Sequence, residues 1–287
     1  MRGGGILKPA ILGISGLSLT AQERDLFRRH DPQGVILFAR NINDRPQLAN
    51  LMVELRSVLR PGAVLMIDQE GGRVARLKPP HWPALPAAGS LRTAEEAYDH
   101  GRVLGAMVRE AGFTCTAAPV LDIRVPGASD VVGDRAVSGD AATVARLGAE
   151  IARGIMAEDV LPVMKHLPGH GRALVDSHIA LPRVPELTDN DLLPFIANKD
   201  LPWAMTAHVV YEQYDSANPG TLSEVIIRDL IRRRIGFQGI LVSDDLAMGA
   251  LSGTPAARAT QALKAGCDIV LYCPGDYEGN CAILEAL

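Results

Sequence analysis

The chain has 287 residues, 47% of them hydrophobic and 22% charged, with a formal net charge of −4; that is apolar material for a large core, and it excludes a disordered or fibrous protein. The 29 basic and 33 acidic residues are interspersed, so no stripe of charge exists for a nucleic-acid backbone to select. No run approaches the roughly 18 uninterrupted apolar residues of a membrane span, and Cys115, Cys267, Cys273 and Cys281 fit no zinc spacing, so they read as free thiols of a soluble, cytoplasmic protein. The start, MRGGGILKPAILGISGLSLTA, has one arginine and an apolar stretch broken by glycine and serine, which makes a cleaved signal the weaker reading.

In chain order, the predicted elements are strands at 10–15 (AILGIS) and 34–39 (GVILFA), the helix RPQLANLMVELRSVL, and a strand at 63–68 (AVLMID). The helix AEEAYDHGRVLGAMVREAG, a strand at 114–120 (TCTAAPV), the helix AATVARLGAEIARGIMAED and a strand at 160–166 (VLPVMKH) follow. Then come strands at 203–209 (WAMTAHV) and 239–245 (GILVSDD) around the helix LSEVIIRDLIRRRIG, and the helix ARATQALKAG before a strand at 268–273 (DIVLYC). Eight strands alternating with helices predict a single α/β domain over 1–287, a (β/α)8 TIM barrel, whose usual size is about 250 residues. An open doubly wound sheet is less favoured, because no G-x-G-x-x-G follows the first strand. The sequence stops at Leu287, in or just after the helix expected behind the eighth strand, so either the last helix is short or the chain is truncated at its C-terminus.

In such a barrel the C-terminal strand ends carry the active site. The third predicted strand ends in Asp68, the fifth in Lys165 and His166, the sixth in His208 and the seventh in Asp244 and Asp245. For any one of them a structural role suffices: Asp245 alone is able to cap a helix starting at Leu246, but convergence on one mouth points to a shared site. In DQEGGRVARL, Gly71 and Gly72 permit a tight turn, and Arg73 and Arg76 follow, so at least one guanidinium can be aimed at the mouth. Carboxylates and guanidinium on one rim suit a ligand dense in hydroxyls, such as a sugar; an Arg–Asp pair that only fixes the loop is the competing reading.

The segments IDQEGGRVARL (67–77), GDRAVSG (133–139), KHLPGHG (165–171), DSHIALP (176–182), MTAHVVY (205–211) and LVSDDLAMGAL (241–251), in this order, resemble family 3 glycoside hydrolases, and within them the single-domain bacterial β-N-acetylglucosaminidases of peptidoglycan recycling. The resemblance implies a retaining β-N-acetylhexosaminidase that removes terminal N-acetylglucosamine from muropeptides through a glycosyl-enzyme intermediate. It implies Asp244 as nucleophile, His178 as general acid/base oriented by Asp176, and Asp68, Arg76, Arg135, Lys165, His166 and His208 at the sugar. A histidine, with a pKa of about 6.5, suits proton transfer near neutrality without the burial a carboxylic acid needs. The loop carrying it, with Gly169, Gly171 and the unfamiliar RALV insert, is expected to close over bound substrate.

No metal or other cofactor is expected, and the partner is a small carbohydrate or muropeptide rather than nucleic acid or membrane, met by a monomer. Four readings compete with this one. His166, His170, Asp176 and His178 are acceptable metal ligands for a hydrolase. Lys165 could serve a Schiff-base aldolase, the same scaffold could bind sugar without turning it over, and the same family includes β-glucosidases and β-xylosidases. His170 is expected to serve loop structure.

Overall fold

The structure is a computed structural model and describes residues 7–287. Its strands are β1 (Lys8–Leu12), β2 (Pro32–Leu37), β3 (Val64–Ile67), β4 (Cys115–Thr116), β5 (Leu161–Leu167), β6 (Arg183–Val184), β7 (Trp203–Thr206), β8 (Val210–Tyr211), β9 (Ile240–Asp245) and β10 (Ile269–Tyr272). Eight of them close a parallel barrel in the order β1-β2-β3-β4-β5-β7-β9-β10, with β10 returning to β1 through the pair Ala10↔Val270. The expected TIM barrel is therefore present.

Strand alternation divides the buried residues into two cores. Ile11, Met66, Val163, Val242 and Leu271 fill the barrel interior. Their neighbours Leu12, Leu65, Met164, Leu241 and Val270 face outward and pack under the helices. The interior plug makes the barrel a solid platform, so a ligand site has to be built by the loops that rise above it.

Helices α1 (Ala21–His30), α2 (Arg45–Val58), α3 (Ala94–Glu110), α4 (Ala141–Met156), α5 (Asp189–Ala197), α6 (Pro255–Ala265) and α7 (Tyr277–Ala286), with a π-helix at Ile226–Ile235, surround the barrel. Two of these had no predicted counterpart. The α1 helix buries only Glu23, Leu26 and Phe27, too narrow a stripe to read by periodicity, and is started by a capping box between Thr20 and Glu23. The α5 helix is short and contains Pro194. The segment behind β10, left open above, forms α7 and packs against α1 and α6.

The predicted strand at 114–120 shrinks to Cys115–Thr116, because Pro119 has no N–H to give the ladder. The chain still follows β5 irregularly: Val120 bridges Lys165, and the Leu121 N–H donates to the Lys165 carbonyl at 2.8 Å. That detour brings Asp122 beside the end of β5. Outside the barrel, β6 pairs with β8 as a small parallel sheet. Among the described residues all four cysteines are free thiols, and no helix is long and apolar enough to cross a membrane.

Candidate active site

A cavity of about 170 Å3 opens at the C-terminal ends of the barrel strands. Seven of the nine residues singled out from the sequence line it: Asp68, Arg76, Arg135, Lys165, His166, His178 and Asp244. Asp176 sits one contact back, and His208 does not line it.

One wall is an ion-pair network. Asp68, just beyond β3, accepts from Arg76 Nη2 and Lys165 Nζ, both at 2.7 Å. Glu70 accepts from Lys165 Nζ at 2.5 Å and holds Arg135 in a fork, with Nε and Nη2 at 2.9 and 2.7 Å. Gly71 and Gly72, with φ of 101° and 57°, make the turn that returns Arg76 to the mouth. Arg73 points elsewhere: it pairs with Asp134 at 3.0 Å and caps the carbonyls of Val131 and Val132, bracing the loop that carries Arg135. Burial works against the Asp68 carboxylate, but Lys165, Arg76 and Arg135 outweigh it and hold the carboxyl well below the usual range. Glu70 is lowered on the same balance, with Lys165 and Arg135 overcoming burial. Burial alone would lower Lys165; Asp68 and Glu70 raise it, so its ammonium stays charged and is no free amine for Schiff-base chemistry.

The second wall is built on Asp122, which has no exposed side-chain surface. Its Oδ2 lies 2.6 Å from His166 Nδ1, and its Oδ1 accepts the His170 N–H at 2.6 Å. Burial is outweighed by His166, so the carboxyl is lowered and stays ionised. An Nδ1–H donating to Asp122 leaves His166 Nε2 for the cavity.

Asp244 comes from the end of β9. Its N–H donates to Thr206 Oγ1 at 3.2 Å, and its Oδ1 accepts the Asp245 N–H at 2.8 Å. Burial is again outweighed, here by His208 and His166, and the carboxyl is lowered. Asp245, which also lines the cavity, accepts the N–H groups of Ala247 and Cys273, and burial raises it. His208 was expected at the sugar; instead both of its nitrogens are engaged, Nδ1 with Thr221 Oγ1 at 2.7 Å and Nε2 with the Asp245 carbonyl at 2.8 Å. It is fully buried, burial pushes its pKa down, and its two hydrogen bonds join the end of β7 to Thr221 and to the end of β9.

The loop after β5 supplies the remaining pair. His178 Nδ1 lies 2.7 Å from Asp176 Oδ1, which also accepts the His178 N–H at 2.9 Å. Burial of Asp176 is outweighed by these two hydrogen bonds, and its carboxyl is lowered. Nδ1–H donation to Asp176 leaves Nε2 without a partner among the described residues, on a side chain that is 65% exposed at the cavity rim. An ionised carboxylate on the barrel and an imidazole above it, in a mouth of paired charges, are the components of acid/base chemistry on a polyhydroxylated ligand. Among the described residues no three His, Cys, Asp or Glu side chains are grouped to hold a metal ion. His166, His170 and His178 are each hydrogen-bonded to a different partner, Asp122, Ser177 and Asp176 in turn.

Glu70 and Asp122 were not singled out from the sequence. Glu70 stood inside DQEGG, where the glycines drew the reading toward a turn, and Asp122 lies beyond a strand whose end Pro119 obscures.

Residues 8–287 match the Glycosyl hydrolase family 3 N terminal domain. The Beta-hexosaminidase of Idiomarina loihiensis is 36% identical, over 96% of this chain and 86% of that protein, and the Beta-hexosaminidase of Thioalkalivibrio sulfidiphilus is 38% identical, over 98% and 84%. A glycoside hydrolase family 3 beta-N-acetylglucosaminidase from Paenibacillus sp. str. FPU-7 superposes with a TM-score of 0.90 at 36% identity; the match covers 97% of this chain and 56% of that longer one. NagZ from Neisseria gonorrhoeae, in complex with N-trifluoroacetyl-D-glucosamine, gives 0.85 at 33% identity, over 94% and 82%. With a match over nearly its whole length and relatives covered over most of theirs, the chain belongs to glycosyl hydrolase family 3 and is a glycosidase.

Proposed function

We propose that this glycosidase is a retaining β-N-acetylhexosaminidase that removes non-reducing terminal β-linked N-acetylglucosamine from peptidoglycan fragments, acting in the cytoplasm as a monomer. The carrying observation is the pairing of an ionised, half-buried Asp244 on the barrel with the His178–Asp176 pair on the loop above it. The substrate class is supported by relatives named Beta-hexosaminidase and by a similar fold solved with an N-acylglucosamine.

In the first step an Asp244 oxygen attacks the anomeric carbon as the bond to the leaving oxygen breaks, and the protonated His178 gives that oxygen its proton. In the second, the neutral His178 takes a proton from water, whose oxygen displaces Asp244 from the anomeric carbon and frees the sugar. Asp176 accepts Nδ1–H throughout, fixing the tautomer and stabilising the imidazolium. Asp68, Arg76, Arg135, Lys165 and His166 bind the sugar hydroxyls, for which a fixed set of donors and acceptors is complementary.

The test compares chromogenic β-N-acetylglucosaminide and β-glucoside, on wild type and on Asp244→Ala. Turnover of the first substrate, little of the second, and a loss of at least about a thousandfold in the variant are expected. An inactive wild type, or unchanged turnover in Asp244→Ala, would sink the assignment.

A further inference from the structure

From Leu174 to Ala180 the loop turns its side chains outward, with one exception. Ser177 is 2% exposed, while every other residue of this stretch is half-buried or exposed. Its Oγ lies 3.0 Å from Nε2 of His170, a ring that is itself 3% exposed. The Ser177 carbonyl accepts the Ala250 N–H at 3.2 Å, from the segment that follows β9. That segment fits closely against the loop: a Cβ on Gly249 would stand 2.8 Å from the His178 carbonyl oxygen. The residue between Asp176 and His178 is thus the one pinned to the body of the barrel.

His170 is well placed to do the pinning. Its N–H is held by Asp122, the carboxylate that also holds the His166 ring, and the two imidazoles meet edge to face with centroids 5.7 Å apart. His170 Nδ1 has no hydrogen-bond partner among the described residues, so Ser177 is the ring's one polar contact. A buried hydroxyl that loses its partner is left unsatisfied, so the serine leaves this seat only when the loop carries it out to water.

We propose that His170 is a positioning residue and that its bond to Ser177 is the latch which holds Asp176 and His178 over the sugar pocket. The inference rests on the role of His178 as proton donor proposed above. With the latch broken, the wall of Asp68, Arg76, Arg135, Lys165 and His166 is untouched, so the sugar still binds. The proton donor, which must come within hydrogen-bond reach of the leaving oxygen, no longer dwells there.

The test measures kcat/KM for Ser177→Ala and His170→Phe on two aryl β-N-acetylglucosaminides. One carries a dinitrophenyl leaving group that departs without a proton, the other a methoxyphenyl group that needs one. Each variant is expected to lose about tenfold on the methoxyphenyl substrate through kcat, with KM nearly unchanged, and to stay within about twofold on the dinitrophenyl substrate. In a His178→Ala background, Ser177→Ala should cost nothing further. Hydrogen exchange of the loop amides at 172–181 should quicken in Ser177→Ala while the barrel strands stay protected. Equal losses on both substrates, a loss that persists without His178, or unchanged loop exchange would each overturn the latch. An inactive wild type would refute the catalytic reading, and the exchange measurement would still decide the latch.

Discussion

Arg135 is 11% exposed at its side chain, and the carboxylate that makes this tolerable is Glu70. Removing a carboxylate from a buried pair costs more than the pair contributes, because the cation left behind is neither hydrated nor paired. We expect Glu70→Gln to lower unfolding stability by about 3 kcal/mol in urea titrations and to raise KM about tenfold with a smaller change in kcat. A rise in KM without loss of stability would mean that Arg135 finds another partner. Strand-end residues such as Asp68, Lys165 and Asp244 were legible because a charge ending an apolar run has few places to go. Glu70 was not, because its role depends on Lys165 and Arg135, far away in sequence, and no local pattern announces a partner brought in by the closure of the barrel.

The loop that carries Asp176 and His178 is a connection with two fixed roots. At one, Tyr211 donates from its hydroxyl to the Gly169 carbonyl at 2.9 Å; at the other, the Val210 N–H donates to the Pro182 carbonyl at 2.9 Å, where β8 meets β6. Both roots are held by the same two residues of β8, so this small sheet sets where the loop starts and returns. Tyr211→Phe removes one hydrogen bond from a fully buried site and leaves the Gly169 carbonyl unpaired. It should cost about 1–2 kcal/mol of stability and lower kcat/KM on a poor leaving group by less than Ser177→Ala does, since the pin nearest the proton donor is intact. A larger loss than for Ser177→Ala would move control of the loop to its root. The barrel strands were readable from their apolar runs, whereas β6 and β8, of two residues each, have no run to read. The long helices were legible for the same reason as the long strands: a repeated period averages over local noise, and α1 and α5 have too few apolar turns to do so.

For the whole molecule, most buried ionisable groups at the mouth link stability to pH on the acid side with one sign, and Asp245, raised by burial, works against them. Asp68, Glu70, Asp122 and Asp244 are all held below their ordinary values by the cations and imidazoles around them, against the cost of burial. Each therefore contributes stability that is present above the unfolded carboxylate range and lost as pH falls through its folded value. His208 is pushed down by burial, and His170 by burial and then by His166, to about 4. A histidine lowered in this way binds its proton more readily in the unfolded chain, so its contribution is complete above about pH 6.5 and is lost as pH falls through the folded value, which for His170 is about 4. The stability of the fold should thus start to fall well above the carboxylate range. For His170 alone the window from 6.5 to about 4 corresponds to about 3 kcal/mol. The measurement is the urea midpoint at pH 7.5 and 4.5, for wild type and for His170→Phe and His170→Gln. Wild type should lose stability between the two conditions, and each variant should lose about 2 kcal/mol less, having no imidazole to protonate on unfolding. Parallel curves for all three proteins would show that His170 titrates alike in folded and unfolded chains, which a ring seated against Ser177 with 3% exposure, on a backbone N–H held by Asp122, does not allow.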